Sequence, residues 1–214
     1  MNKARIAVLG SGQVAQVLAR GFKKHGYPVQ IGNRDPSKLA AFSKEQGIPA
    51  LGLEAAVEAS DIVILAVKGT AAEKVIQSLA GSLGQRVVVD ATNPIADLPP
   101  QNGVLQYFTD ANSSLMERLQ AIAPQARFVK AFNSIGNAFM IDPAFPGGRP
   151  TMFIAGNDAA AKSMVVAILE GLGWEVADMG MAESARPIEA LCQLWCAPGL
   201  LRNQWTHAFK LLKL

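Results

Sequence analysis

Hydrophobic positions along the chain follow two alternating rhythms. Short apolar runs at residues 5–9, 28–31, 62–67, 86–90, 128–131, 151–155 and 174–177 read as strands. Between them apolar residues recur every three or four positions, as in Val14, Val17, Leu18 and Phe22, which predicts a helix over 13–25 closed by Gly26. A second helix is expected over 36–46, with Asp35 as its N-cap and Pro36 at the first helical position. Further helices are expected over 70–79, over 112–123, and over 158–169 between an Asn157 cap and Gly171. The runs at 62–67 and 86–90 carry no polar alternation, as strands of a parallel sheet covered on both faces do not. Seven strands alternating with helices predict an α/β fold: a doubly wound, mostly parallel sheet with right-handed crossovers. Residues 1–181 form its nucleotide-binding domain in this reading. Residues 182–214 add one or two final helices, interrupted around Pro198-Gly199, that pack on the domain or pair subunits.

Two connections exceed the usual 2–6 residues of such folds. Residues 91–111 and 132–150 both leave the C-terminal end of a strand, the edge where open α/β sheets bind ligands. Both are functional-loop candidates.

Composition narrows the classes. Of 214 residues half are hydrophobic and 17% charged, enough to bury a core, and the 19 Gly and 12 Pro stay below the roughly 25–30% of low-complexity chains. The net charge of +3 comes from scattered residues without a basic run, so neither a nucleic-acid partner nor a membrane surface is expected. Lys3 and Arg5 before an apolar stretch imitate a secretory leader, but Gly10, Gly12, Gln13 and Gln16 break the run, and a cytoplasmic location is the expectation. The Asn112-Ser113-Ser114 sequon then has no meaning. Cys192 and Cys196 sit four apart, one helical turn, and read as small buried hydrophobes.

The first strand–helix junction carries Gly10-Ser11-Gly12-Gln13-Val14-Ala15, a G-x-G-x-x-A motif. Following a strand and opening a helix, this is the dinucleotide fingerprint of a Rossmann-type fold. Gly10 permits the tight turn, Gly12 lets a pyrophosphate reach the backbone, and Ala15 keeps helix and sheet close. The phosphates would rest on free N–H groups at the helix N-terminus. After the second strand the chain reads Gly32-Asn33-Arg34, without the carboxylate that holds the ribose 2′-hydroxyl of NAD. Arg34 offers a planar fork to a 2′-phosphate, Asn33 a further donor and Lys38 more charge, so NADP is the expected cofactor. Asp35 is read as a helix cap.

Other chemistry is scarce. The chain has two histidines, His25 and His207, no phosphate-binding G-x-x-x-x-G-K-[ST] loop and no H-E-x-x-H, so neither a metal site nor a catalytic triad is expected. Asp90, ending its strand, reads as a buried turn residue. Oxidising an alcohol needs a proton acceptor beside the hydride donor. Hydride exchange between two redox cofactors needs only positioning.

The segments IAVLGSGQV (6–14), GNR (32–34), IVILAVK (62–68), VVVDATNP (87–94), KAFNSI (130–135), DMG (178–180) and SARPIEAL (184–191) together resemble the F420-dependent NADP oxidoreductase family over nearly the whole chain. Similar domains occur in membrane ferric reductases. The resemblance implies that Ser11, Gly12, Gln13 and Val14 hold the pyrophosphate, and Asn33, Arg34 and Lys38 the 2′-phosphate. It places Ala66, Val67 and Lys68 and also Thr92, Asn93 and Pro94 around the ribose, with Ala131, Phe132 and Asn133 beside the nicotinamide. A planar acceptor, coenzyme F420 or a flavin such as FMN, would stack there under the loop after Phe132, with hydride transfer by positioning and no catalytic residue. The last helices commonly pair subunits in this family, so Trp195, Leu201 and Trp205 are expected either in a homodimer interface or on an intramolecular core helix. The chain departs from the family pattern at Asn33, where many members carry a small hydroxyl residue. It departs also at Asn133 and Lys68, where archaeal members carry His and an aromatic. Two other readings share the same N-terminal half: an imine or β-hydroxyacid reductase, and a non-catalytic NADP sensor.

Overall fold

A computed structural model describes residues 3–213. Six parallel strands form its central sheet: β1 (Ile6–Leu9), β2 (Val29–Gly32), β3 (Ala50–Leu51), β4 (Ile62–Leu65), β5 (Val87–Asp90) and β6 (Arg127–Lys130). Their spatial order is β3-β2-β1-β4-β5-β6, so the order reverses between β1 and β4. At this switch point a crevice opens beyond the strand ends. Ile6 pairs with both Val29 and Ile62, which sets the register that brings Gly10 and Ala66 side by side.

The sheet separates two cores. Ile6, Val8, Ile62, Ile64, Val87, Val89 and Val129 point to one face, where they meet α1 (Gln13–Lys24), α2 (Ala40–Gln46) and α6 (Ala159–Gly171). Ala7, Leu9, Val63, Leu65, Val88 and Phe128 point to the other, against α3 (Leu53–Glu58), α4 (Gly69–Leu83), α5 (Leu115–Ile122) and α7 (Ala185–Arg202). Alternate side chains thus serve opposite cores, and this is why the strands show no polar face in the sequence.

The boundaries differ from expectation in a few places. β3 and α3, two and six residues long, are too short to carry a readable period. The predicted helix over 36–46 is a 3₁₀ turn, Pro36–Leu39, followed by α2, and Asp35 caps it as expected by accepting from the Ser37 N–H. Helix α5 starts at Leu115 behind a Ser114–Glu117 capping box, later than position 112. Helix α6 is capped by Asp158 rather than Asn157, whose Oδ1 instead accepts from the Ala182 N–H. The strands β7 (Thr151–Ile154) and β8 (Glu175–Asp178) make a separate parallel pair, tied to the main sheet by an antiparallel bridge between Lys130 and Ala155.

The C-terminal segment departs most. Helix α7 runs through Pro198 and Gly199 without interruption and stops at Asn203, whose left-handed conformation reverses the chain. No second helix follows among the described residues; Leu214, the end of the predicted segment, lies outside them. The chain instead returns as an extended strap, bonded to β7 through Thr151 N–H to the Phe209 carbonyl (2.9 Å) and Leu211 N–H to Thr151 Oγ1 (3.0 Å).

Candidate functional site

Two adjoining clefts lie along the C-terminal edge of the sheet. The smaller, about 280 Å³, is lined by Gly10, Ser11, Gly12, Asn33, Arg34, Leu53, Ala66, Val67 and Lys68, with Ala71 and Val75 of α4. The larger, about 760 Å³, shares Gly12, Ala66, Val67 and Lys68 with it. It adds Gln13 and Val14, Gly69, Ala91–Asn93 and Ile95, the segment Ile135–Phe139, and Trp195, Trp205 and Thr206. Both long loops reach this cleft, as their departure from strand ends implied.

The glycines of the fingerprint can be separated by their geometry. Gly10 has φ +136°, and a Cβ there would fall 2.3 Å from the Ala66 carbonyl oxygen, so fold and turn both require it. Gly12 has an ordinary φ of −75°, and a Cβ there would meet nothing within 4 Å. Nothing inside the protein calls for glycine at position 12, and the open space it leaves belongs to the cleft. Gly12 also begins α1 with no side-chain cap and no acidic residue in the first turn. The free N–H groups and the positive end of the helix dipole therefore face a space suited to an anion. These residues fit a dinucleotide pyrophosphate.

The candidate 2′-phosphate residues lie at the end of β2. Arg34 is exposed beside Asn33 in the smaller cleft. Asn33 Oδ1 accepts from the Asp35 N–H (2.9 Å), and Asp35 Oδ1 accepts from Ser37 N–H and Oγ, so the carboxylate is spent on the helix start. Ser37, with Lys38 behind it, lowers the Asp35 pKa from its ordinary value. Lys38 is exposed but lines neither cleft.

Of the residues expected around the ribose and nicotinamide, Ala66, Val67, Lys68, Thr92 and Asn93 line the larger cleft, and Pro94 does not. Lys68 pairs with Asp97 at the rim. Ala131, Phe132 and Asn133 are buried and line neither cleft. Ala131 and Phe132 belong to the core, and Phe132 holds a left-handed φ of +64° while its N–H points at Met152 Sδ. Bulky residues rarely adopt that conformation. Here it turns the chain out of β6 so that Ile135–Phe139, rather than Phe132 itself, reach the cleft. Asn133 supports Asn93 from behind: its Nδ2 donates to Asn93 Oδ1 (3.0 Å) and to the Ile188 carbonyl (2.8 Å), and its own carbonyl accepts from Asn93 Nδ2 (2.8 Å). Among the described residues Asn133 Oδ1 is the buried side-chain polar atom left without a partner.

Behind the loop after β5 lies a fully buried ionic cluster. Lys130 Nζ contacts Asp90 Oδ2 (2.8 Å), Glu189 Oε1 (2.7 Å) and the Thr92 carbonyl (2.8 Å), with no exposed surface on Lys130 or Asp90. Asp90 Oδ1 accepts from Thr92 N–H and Oγ1, and Glu189 accepts from Leu115 N–H and Met116 N–H at the start of α5. Burial alone would lower the pKa of Lys130, but the carboxylates of Asp90 and Glu189 outweigh it and raise it above the ordinary lysine value. The cluster fastens β5, β6, α5 and α7 to one another and fixes Thr92 and Asn93 in the cleft wall. Asp90 is thus the buried turn residue the sequence suggested. Glu189, a lone acid in an apolar helix, gave a weak signal that its partner Lys130 on a strand would have strengthened. Gly69, whose Cβ would fall 1.9 Å from the Asn93 carbonyl oxygen, and the segment Ile135–Phe139 gave no readable signal.

Cys192 is buried and Cys196 half-buried, both free, with sulfurs 4.0 Å apart. Trp195 and Trp205 face this chain's own cleft, while Leu201 is exposed. No group of three or more potential metal ligands occurs among the described residues, and no helix there is long and apolar enough to cross a membrane.

The strand order, the Gly10–Ala15 turn and the paired clefts define a dinucleotide-binding α/β protein of the doubly wound class. A family model described as NADP oxidoreductase, coenzyme F420-dependent, matches residues 5–94. A protein from Arthrobacter sp. FB24, assigned as an F420-dependent NADP reductase, superimposes with a TM-score of 0.91 at 30% identity, covering 98% of this chain and 100% of that one. This chain belongs to that family of NADP-dependent oxidoreductases. It is also 30% identical over 205 residues to the metalloreductase STEAP3 of Rattus norvegicus, covering 92% of this chain but 39% of that protein. The chain thus spans about two fifths of the curated relatives it matches. A reductive aminase from Aspergillus terreus, solved with NADPH, shares the fold at 21% identity, with a TM-score of 0.67, covering 94% of this chain and 64% of that one.

Proposed function

We propose that this chain exchanges hydride between the nicotinamide of NADP(H) and a planar redox acceptor, coenzyme F420 or a flavin such as FMN. The observation that carries the reading is the lining of the larger cleft. Beyond the pyrophosphate turn it is apolar and backbone-rich, and Lys68, engaged with Asp97 at the rim, is its sole ionisable side chain among the described residues. A site that moves a proton to or from a substrate oxygen or nitrogen needs a titratable group in reach. A site that aligns two redox rings needs shape, exclusion of water and fixed walls. When bound, the dinucleotide supplies the hydride and the acceptor ring takes it up.

In this reading Gly12, Gln13 and Val14 receive the pyrophosphate at the start of α1, and Arg34 with Asn33 receives the 2′-phosphate. Thr92 and Asn93, backed by Asn133 and the Lys130 cluster, hold the wall beside the nicotinamide ribose. Lys38 lies outside both clefts and would contribute long-range charge.

Two measurements test it. Purified protein should oxidise NADPH saturably with F420 or FMN and much more slowly from NADH. NADPH binding without turnover on either acceptor would overturn the enzymatic reading in favour of a sensor. Replacing Arg34 with Ala removes a charge-assisted contact worth about 1.5–3 kcal/mol, roughly 10–150-fold. The Michaelis constant for NADPH should rise by that factor while that for NADH stays nearly unchanged. Equal effects on both would refute the role given to Arg34.

A further inference from the structure

The strap after α7 builds a wall of the larger cleft that no fingerprint residue supplies. Asn203, at φ +55°, reverses the chain so that residues 204–207 fold back over the helix they follow. Trp205 then lies across Gly199, where a Cβ would come within 2.3 Å of its ring atoms. Trp195, one helical turn earlier on α7, packs against Gly136 of the loop after β6, where a Cβ would come within 2.8 Å of its ring. The two indoles meet with centroids 5.7 Å apart, and the imidazole of His207 stacks on Trp195 at 5.0 Å. Both indole N–H groups are satisfied from within: Trp195 Nε1 donates to the His207 carbonyl and Trp205 Nε1 to Asn203 Oδ1, each at 2.9 Å.

This has a chemical consequence. With its N–H occupied, Trp205 has no polar edge to offer a ligand, only its ring. Trp195 is buried at 6% exposure, whereas Trp205 keeps 37% and lines the cleft beside Thr206. An indole held open on a prebuilt surface, on a strap pinned to Thr151 at its far end, is a stacking platform for another planar ring.

We infer that Trp205, backed by Trp195, is the acceptor-side platform of the cleft, and that its ligand is a planar fused heteroaromatic ring of the isoalloxazine or deazaisoalloxazine class. This rests on reading the cleft as a hydride-exchange site. Trp205 lines the larger cleft and not the smaller one that holds Gly10, Ser11 and Arg34, so it serves the nicotinamide and acceptor end of the site rather than the adenosine end. Residues of the C-terminal segment thereby set acceptor specificity, while Arg34 and Asn33 at the end of β2 set cofactor specificity.

The test compares wild type with Trp205→Ala, Trp205→Phe and Gly199→Ala. FMN and F420 binding are followed by quenching of ligand and tryptophan fluorescence, NADPH binding by its own emission, and turnover with each acceptor is measured in parallel. Gly199→Ala is the informative variant: alanine favours a helix interior over glycine, so α7 is kept, but its Cβ must displace the Trp205 ring. The acceptor dissociation constant should rise about tenfold in Trp205→Ala and Gly199→Ala and stay within about threefold in Trp205→Phe, with NADPH affinity within about twofold throughout. Unchanged acceptor affinity in both displaced variants, in a protein that still turns over, overturns the platform and leaves the enzymatic reading intact. Parallel loss of NADPH affinity assigns Trp205 to the dinucleotide and likewise overturns it. Wild type that binds NADPH but neither FMN nor F420 overturns both.

Discussion

Replacing Lys130 with Met would remove one charge from a cluster shut off from bulk solvent. The ammonium is fully buried between Asp90 and Glu189 at 2.8 and 2.7 Å and also satisfies the Thr92 carbonyl. Methionine fills similar space but offers no donor, leaving two carboxylates facing a common apolar pocket. Breaking a buried pair by removing one partner costs about 3–5 kcal/mol, because the remaining charges stay desolvated. Against a usual total of about 5–15 kcal/mol this is a large share. For a urea slope of about 2 kcal/mol/M the unfolding midpoint should drop by about 2 M at pH 7. The pH dependence gives a second signature. Since the folded-state pKa of Lys130 is raised, its contribution is complete below the ordinary lysine value near 10.4 and is lost only as pH rises through the higher folded value. The gap between wild type and variant at pH 7 should therefore persist to about pH 10 on the wild-type side. A midpoint shift below about 0.5 M in urea denaturation would mean that the cluster is not the fastening described.

Two further outcomes follow from the same geometry. Gly69→Ala places a Cβ 1.9 Å from the Asn93 carbonyl oxygen, so the cleft wall must move, and NADPH affinity by fluorescence titration should fall about tenfold or more; wild-type affinity would show that the Asn93 loop does not contact the dinucleotide. Asp61, bonded to the Arg5 guanidinium and N–H, is held at a pKa of about 2, so its stabilising contribution is present above the ordinary value near 3.9 and lost as pH falls through 2. The pair is about half exposed, so Asp61→Asn should cost less than about 1 kcal/mol, and an NMR titration midpoint near 3.9 would contradict the pairing.

Local signals proved legible wherever the physics was local. The Gly10–Ala15 turn, the Asp35 cap and the buried Asp90 each depend on a few neighbouring residues, and each is found as read. The Asn157 cap failed by one residue, because Asp158 offers the same acceptor at a better position and Asn157 is taken by Ala182. The strands β3 and helix α3 were missed because two and six residues hold no period. Pro198-Gly199 reads as a break in isolation, yet α7 continues through it because the helix is held by neighbours on both sides of the site, Ile188 in the core and Trp205 over Gly199.

The sequence by itself determined the class of protein. Apolar runs without alternation demand a sheet covered on both faces, and a G-x-G-x-x-A turn at the first strand end demands a ligand whose charge suits a bare helix N-terminus. What only the tertiary structure decided is which residues meet across the cleft. Ala131, Phe132 and Asn133, expected beside the nicotinamide, are buried at the end of β6, and beyond the left-handed turn at Phe132 the segment Ile135–Phe139 lines the cleft. Lys130 and Glu189 lie 59 positions apart and look unremarkable singly; only packing in a medium that cannot hydrate them makes them one unit. Trp205, which the family resemblance offers to a subunit interface, lines its own chain's cleft once the αL residue Asn203 has turned the chain back. Periodicity records what a residue's neighbours in sequence require, and a binding site is made by neighbours that the chain brings together only after it has folded.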